Sequence, residues 1–257
     1  NSAFATTIMA AMFPPFYRSL AIAAGLSEPD ATAAWAYTTA FGLALAAVMA
    51  PILGAISDHT GGKKRYIAFF VALGVVATAL FVILGDDNYL LASVLFILGD
   101  IGFAGAEVFY ESLLPHIAKK GDIDRVSTRG YALGYLGGGL LFLLNVAMTL
   151  APQAFGLPDS AAAMRIAFLT VALWWGGFTV LTILWVPEPP PGAPGGVLAA
   201  VGAGLRQLAA TFRRIRQFKP AFIFLAAYWC YIDGVDTVIR MAVDHGLSLG
   251  FSSRDLI

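Results

Sequence analysis

Apolar residues in this chain come in long unbroken runs rather than in alternation or along a single helical stripe. Seven runs approach or exceed the roughly 20 residues that a helix needs to cross a bilayer. They cover residues 3–24, 33–56, 66–84, 89–117, 131–150, 162–186 and 221–243. A transmembrane barrel would show alternating polarity in much shorter segments, so continuous runs predict helices. The expectation is an all-α membrane protein with seven spans.

The polar positions between the runs are sorted by sign. Lys63, Lys64 and Arg65 follow the second run, and Lys119, Lys120, Arg125 and Arg129 follow the fourth. Arg206, Arg213, Arg214, Arg216 and Lys219 precede the seventh. Glu28, Asp30, Asp86, Asp87 and Asp159 occupy the intervening loops, with Arg18 and Arg165 near span ends. Basic loops stay in the cytoplasm. The 2–3, 4–5 and 6–7 loops are therefore expected there.

The 6–7 connection is much longer than the others. It opens on Pro187-Glu188-Pro189-Pro190-Pro191-Gly192, which cannot continue a helix. It then places Val197, Val201, Leu205, Leu208, Phe212 and Ile215 at three- and four-residue intervals, with most of its arginines off that stripe. This predicts an amphipathic helix lying in the membrane interface against anionic headgroups. The expected organisation is a six-span bundle over 1–187, a linker over 188–219, and the first span of a second bundle over 220–257.

Composition agrees. Of 257 residues, 59% are hydrophobic and 12% charged, about half the usual charged share of a soluble domain. This excludes a disordered chain, a nucleic-acid binder and an ordinary soluble enzyme. Cys230 is the only cysteine, so no internal disulfide can form. The chain opens at Asn1 without Met or a signal-peptide pattern, and stops soon after the seventh run. It reads as a fragment of a longer protein.

Ionisable side chains inside a bilayer cost roughly 2.5–3.5 kcal/mol each on insertion scales, and so mark function. Asp100, Glu107 and Glu111 share one face of the fourth span, with Asp100 and Glu107 deepest. Asp233, Asp236 and Arg240 share one face of the seventh, where Asp236 and Arg240 are spaced to pair within the helix. The carboxylates are candidates to bind protons or a substrate ammonium, and Arg240 a substrate carboxylate. A structural ion-pair network between bundles is the competing reading. Asn145 and the aromatics Trp174, Trp175, Tyr228, Trp229 and Tyr231 are candidate cavity lining. Pro14-Pro15 should kink or end the first span. No cofactor is expected, and His59, His116 and His245 lack metal-ligand spacing.

Between the second and third spans stands Gly54-Ala-Ile-Ser-Asp58-His-Thr-Gly61-Gly-Lys63-Lys64-Arg65. It resembles the cytoplasmic signature of the major facilitator superfamily in full spacing. Gly54 suits close helix contact, Gly61 and Gly62 a tight turn, and Asp58 a cap or an ion pair. The resemblance implies that Gly54, Asp58, Gly61, Lys63 and Lys64 form a conformational latch. Asn1-Ser-Ala-Phe4, Phe109-Tyr-Glu-Ser-Leu-Leu-Pro115, the run from Val126 to Gly139, and Tyr231-Ile-Asp-Gly-Val-Asp-Thr-Val-Ile239 look like the vacuole-effluxer-like branch. That branch includes the autophagy-related vacuolar amino-acid effluxers of fungi. Tyr135 stands where the superfamily's antiporter signature has Pro, which argues against drug/proton antiport.

The resemblance implies a monomeric twelve-span secondary transporter of a small polar solute, an amino acid above all, working by alternating access. Its partners would be that solute, the bilayer and protons as coupling ion. A lipid or lysophospholipid transporter on the same fold is the alternative. A seven-span receptor or light-driven pump is a further alternative, but a retinal pump would need a Lys in its last span, and the lysines lie at 63, 64, 119, 120 and 219. An intramembrane enzyme lacks H-E-x-x-H and a His near Cys230.

Overall fold

The computed structural model describes residues 1–59, 61–85, 87–119, 121–188, 197–252 and 256. Asp86, Lys120 and the Pro189–Gly192 part of the linker lie outside them. Every described element is helical. A π-helix, Phe4–Met12, runs directly into α1, Phe13–Ala23. There follow α2 (Glu28–His59), α3 (Lys63–Ala79) with a closing 3-10 turn, α4 (Tyr89–Glu111), the single turn α5 (Leu114–Ile117) and α6 (Ile123–Leu150). The chain continues through α7 (Ser160–Trp185) and α8 (Val197–Ile215) to α9 (Lys219–Ser248).

Among the described residues six helices are long and apolar enough to cross a membrane. The seventh expected span, the first in the chain, is the one that the π-helix divides. Pro14 and Pro15 bring no N–H, so carbonyls one turn upstream lose their partners. The backbone answers by widening: the N–H of Phe13 reaches back five residues to Ile8 O. The expected kink is therefore a change of helical pitch. Several helices outrun their apolar runs. α6 starts at Ile123, with Arg125 and Arg129 on its first two turns, and α9 continues to Ser248.

The helices leave one end of the bundle basic (Lys63, Lys64, Arg65, Arg125, Arg129, Lys219) and the other acidic (Glu28, Asp30, Asp159). In the acidic half, Phe13 meets Phe96 at 5.2 Å, Phe81 at 4.4 Å and Trp35 at 5.8 Å between ring centroids. These contacts join the first four spans, and each such pair adds about 0.5–1.5 kcal/mol beyond burial. α3 and α4 approach backbone to backbone. A Cβ built on Gly102 would lie 2.6 Å from Gly74 N. Trp175 of α7 packs its ring against Gly74.

Two elements are only partly held. α8 crosses the basic end of α2, with Gly204 so close to Ala55 that a Cβ would collide with it. Val201 packs inward, whereas Leu205, Leu208 and Phe212 on the same stripe stay exposed. α9 buries Arg240, Val243, Asp244 and Gly246 near its acidic end. Its other half is bare, Tyr228, Trp229 and Tyr231 all being exposed.

Candidate functional site

Asp100 is the middle residue of α4. It is held beside α2 because Gly42 leaves room: a Cβ there would sit 2.9 Å from the carboxylate. Arg240 reaches it from α9. Its Nη1 donates to Oδ2 and its Nη2 to Oδ1, both at 3.2 Å, and both side chains are buried. The Nε1–H of Trp35 donates to the carbonyl of Arg240 at 3.1 Å, fixing the turn that carries it. This two-pronged geometry is the strongest a guanidinium and a carboxylate make.

Arg240 therefore does not pair with Asp236 along its own helix, as the spacing suggested. A long Arg side chain selects the partner that satisfies two of its donors in a buried site. Asp236 is half-buried one turn away, and Asp233 is exposed. The three carboxylates thus differ in surroundings: one paired, one flanking, one open.

Glu107 lies only one turn from the end of α4, nearer the basic end than the mid-depth position read from the sequence. It is half-buried and accepts from Asn1 Nδ2 at 3.1 and 3.3 Å. It makes no bond to Asn145. That side chain, fully buried between α6 and α7, accepts from Thr170 Oγ1 at 2.9 Å, and its Nδ2 has no partner among the described residues. Glu111 accepts from the Tyr131 hydroxyl. Of the candidate aromatics, Trp175 is core and Trp174 packs on Phe178.

The signature loop is organised by its lysines. Lys63 Nζ donates to Ser112 O at 3.1 Å, just past the end of α4. Lys64 Nζ donates to Ile183 O at 2.6 Å, in the last turn of α7. Both cations therefore satisfy carbonyls at helix C-termini, where the helix dipole also favours them. Gly62, not Gly61, takes the left-handed conformation, at φ +77°, and serves as N-cap of α3 without a side-chain cap. Asp58 is exposed and acts on Lys63 through space, so it is not the cap. A Cβ on Gly54 would meet open space among the described residues. The close helix contact is made one position on, by Ala55 with Gly204.

Three features escaped the sequence reading. Arg18 and Asp244 form a buried ion pair at the acidic end, 226 residues apart; the apolar flanks of both gave the only hint. Tyr17, Thr38 and Ser93 share a hydroxyl network at 2.9–3.3 Å. Gly246-Leu-Ser-Leu-Gly250 has the spacing of a hydrolase nucleophile elbow. It falls at the end of α9, however, where Ser248 Oγ donates to His245 O; an elbow needs a strand-to-helix turn.

Residues 20–249 match the family described as "Vacuole effluxer Atg22 like". The chain is 37% identical to "Uncharacterized MFS-type transporter YxiO" of Bacillus subtilis, an alignment covering all of this chain and 60% of that protein. It is 25% identical to "Autophagy-related protein 22-1" of Penicillium rubens over 80% of this chain and 46% of that one. For "Autophagy-related protein 22" of Coccidioides immitis the figures are 24%, 80% and 44%. The chain thus spans about half the length of these relatives. No solved structure matches it.

Proposed function

The chain belongs to the vacuole effluxer Atg22-like family of the major facilitator superfamily, and on that premise we propose that the whole protein is a secondary transporter moving amino acids by alternating access. It is a multi-pass membrane protein. In this reading α9 opens a second bundle, and the basic end faces the cytoplasm of a bacterial cell. The protein works as a monomer, with α8 lying in the cytoplasmic interface.

The observation that carries the proposal is the buried Asp100–Arg240 pair between α4 and α9. A buried pair loses heavily when one partner is removed alone. An amino-acid zwitterion brings both missing charges. Its ammonium replaces the guanidinium on Asp100, and its carboxylate replaces Asp100 on Arg240. The pair can then part without leaving a bare charge. Asp236 and Asp233 follow along α9 toward the basic end, and Glu107 stands near that end as the candidate proton site. Asn145 lies between α6 and α7 and supports this wall of the bundle.

The test is uptake by the full-length protein in proteoliposomes, against a panel of amino acids, with and without a proton gradient. Movement of zwitterions, and not of analogues lacking either charge, is expected. Failure to move any amino acid in either gradient overturns the proposal. Glu107→Gln is expected to fold and transport but to lose the pH dependence of transport; an unchanged pH profile would place the coupling site elsewhere.

The signature loop has a different role. Asp58 faces solvent beside a lysine that holds the end of α4. Asp58→Asn is expected to slow turnover while leaving substrate affinity little changed, since it biases the conformational equilibrium rather than the site. Rapid-mixing uptake with a binding isotherm separates the two; weakened binding at normal turnover would count against the latch.

A further inference from the structure

We propose that Arg18 and Asp244 are positioning residues that hold the acidic end of the carrier shut, Asp244 being the member that lets go. This rests on the alternating-access reading above, and it concerns residues which that reading does not use.

Arg18, near the end of α1, is 7% exposed, and Asp244, in the last turns of α9, is fully buried. Arg18 Nη1 donates to Asp244 Oδ1 at 3.3 Å. Three features make this contact a releasable one. Arg18 has a second set of partners on its own side: Nη1 donates to Thr32 Oγ1 at 2.7 Å and Nη2 to Glu28 Oε2 at 2.9 Å, both shorter than the contact to Asp244. When α9 withdraws, the guanidinium therefore keeps a carboxylate and a hydroxyl and is not stranded. Asp244 Oδ2 has no hydrogen-bond partner among the described residues even with the end closed. Its carboxylate is held by one long bond, while water could satisfy both oxygens. The contact also sits where α9 is docked, beside buried Val243 and Gly246.

The division of labour follows. Asp100 and Arg240 grip each other through two bonds at mid-depth, where a solute with both charges can intervene. Arg18 and Asp244 meet through one bond at the rim and set how readily the rim parts.

The experiment uses the full-length protein in liposomes. A reporter, Val243→Cys, is introduced into a background in which Cys230 and any other cysteines are replaced. Its rate of reaction with a membrane-impermeant maleimide, added at the acidic side without solute, reads undocking of α9. Losing a hydrogen bond to a charged group is expected to raise that rate about tenfold in Asp244→Asn and in Arg18→Gln. Glu28→Gln, which removes only the partner that does not cross, is expected to leave it unchanged. The exchange Arg18→Asp with Asp244→Arg is expected to restore protection. Unchanged rates in both single variants, or an equal rise in Glu28→Gln, overturn the proposal. If Asp244→Asn does not fold, Arg18→Lys carries the same test, since it keeps the charge and loses the fork. Labelling is read without transport, so a protein that moves no amino acid can still show the lock.

Discussion

Arg240→Ala is expected to abolish amino-acid uptake and to destabilise the folded full-length protein by about 3–5 kcal/mol, the usual cost of stranding one member of a buried pair. Asp100 would be left buried beside Gly42 with both oxygens unpaired. Asp100→Asn should act in the same direction, leaving the guanidinium bare. The double replacement Asp100→Asn with Arg240→Gln separates the roles. It removes both charges, so thermal melting in detergent should return most of the way to that of the parent. Uptake should stay lost, because nothing remains to hold a zwitterion. A double variant that transports normally would make the pair a structural tie between helices. One that stays as unstable as the single variants would show that the pair itself, rather than the stranded charge, sets the stability.

Gly102→Ala should damage the protein more than any other single added methyl in the α3–α4 contact. The new Cβ would lie 2.6 and 2.7 Å from the backbone N and Cα of Gly74, and 2.7 Å from the carbonyl of Phe70. These are main-chain atoms of a packed helix, and no rotamer change relieves them. Overpacking typically costs about 1–3 kcal/mol, and more where backbone must shift. The expected outcome is a lowered melting temperature and poor recovery of monodisperse protein from size-exclusion chromatography. Gly54→Ala is the matched control: its Cβ meets open space among the described residues, and melting should stay at the parent value. Equal behaviour of the two variants would mean that α3 and α4 do not pack as described.

Much of the architecture was legible in residue order alone, because the bilayer imposes a one-dimensional rule. A backbone that crosses it must satisfy its own hydrogen bonds, so long apolar runs become helices. Their order and the sorting of basic and acidic ends followed directly, whereas seven spans were expected and six helices among the described residues are long and apolar enough to cross. Helix limits did not. Hydropathy marks where apolar residues begin, whereas a helix continues as long as its backbone bonds do, which is why α6 reaches back to Ile123. The division of the first span at Pro14-Pro15 was legible as a disturbance but not as a π-helix, since widening depends on how neighbours hold the chain.

The candidate charges were found by type and depth, but their partners were not. Asp236 is four residues from Arg240 and was the natural partner along the chain. The guanidinium instead meets Asp100, 140 residues away, which accepts two bonds from it in a buried site. The same holds for Lys63 and Lys64, whose spacing identified the signature loop. That they bind carbonyls at the ends of α4 and α7 depends on α3 starting where those two helices stop. Arg18 and Asp244 are the extreme case. Each is an isolated charge near the end of an apolar run, with nothing local to set it apart. Sequence therefore determined which groups the membrane would force to find partners. Tertiary structure decided which partners they found, because a buried charge is satisfied by geometry in space and not by distance along the chain.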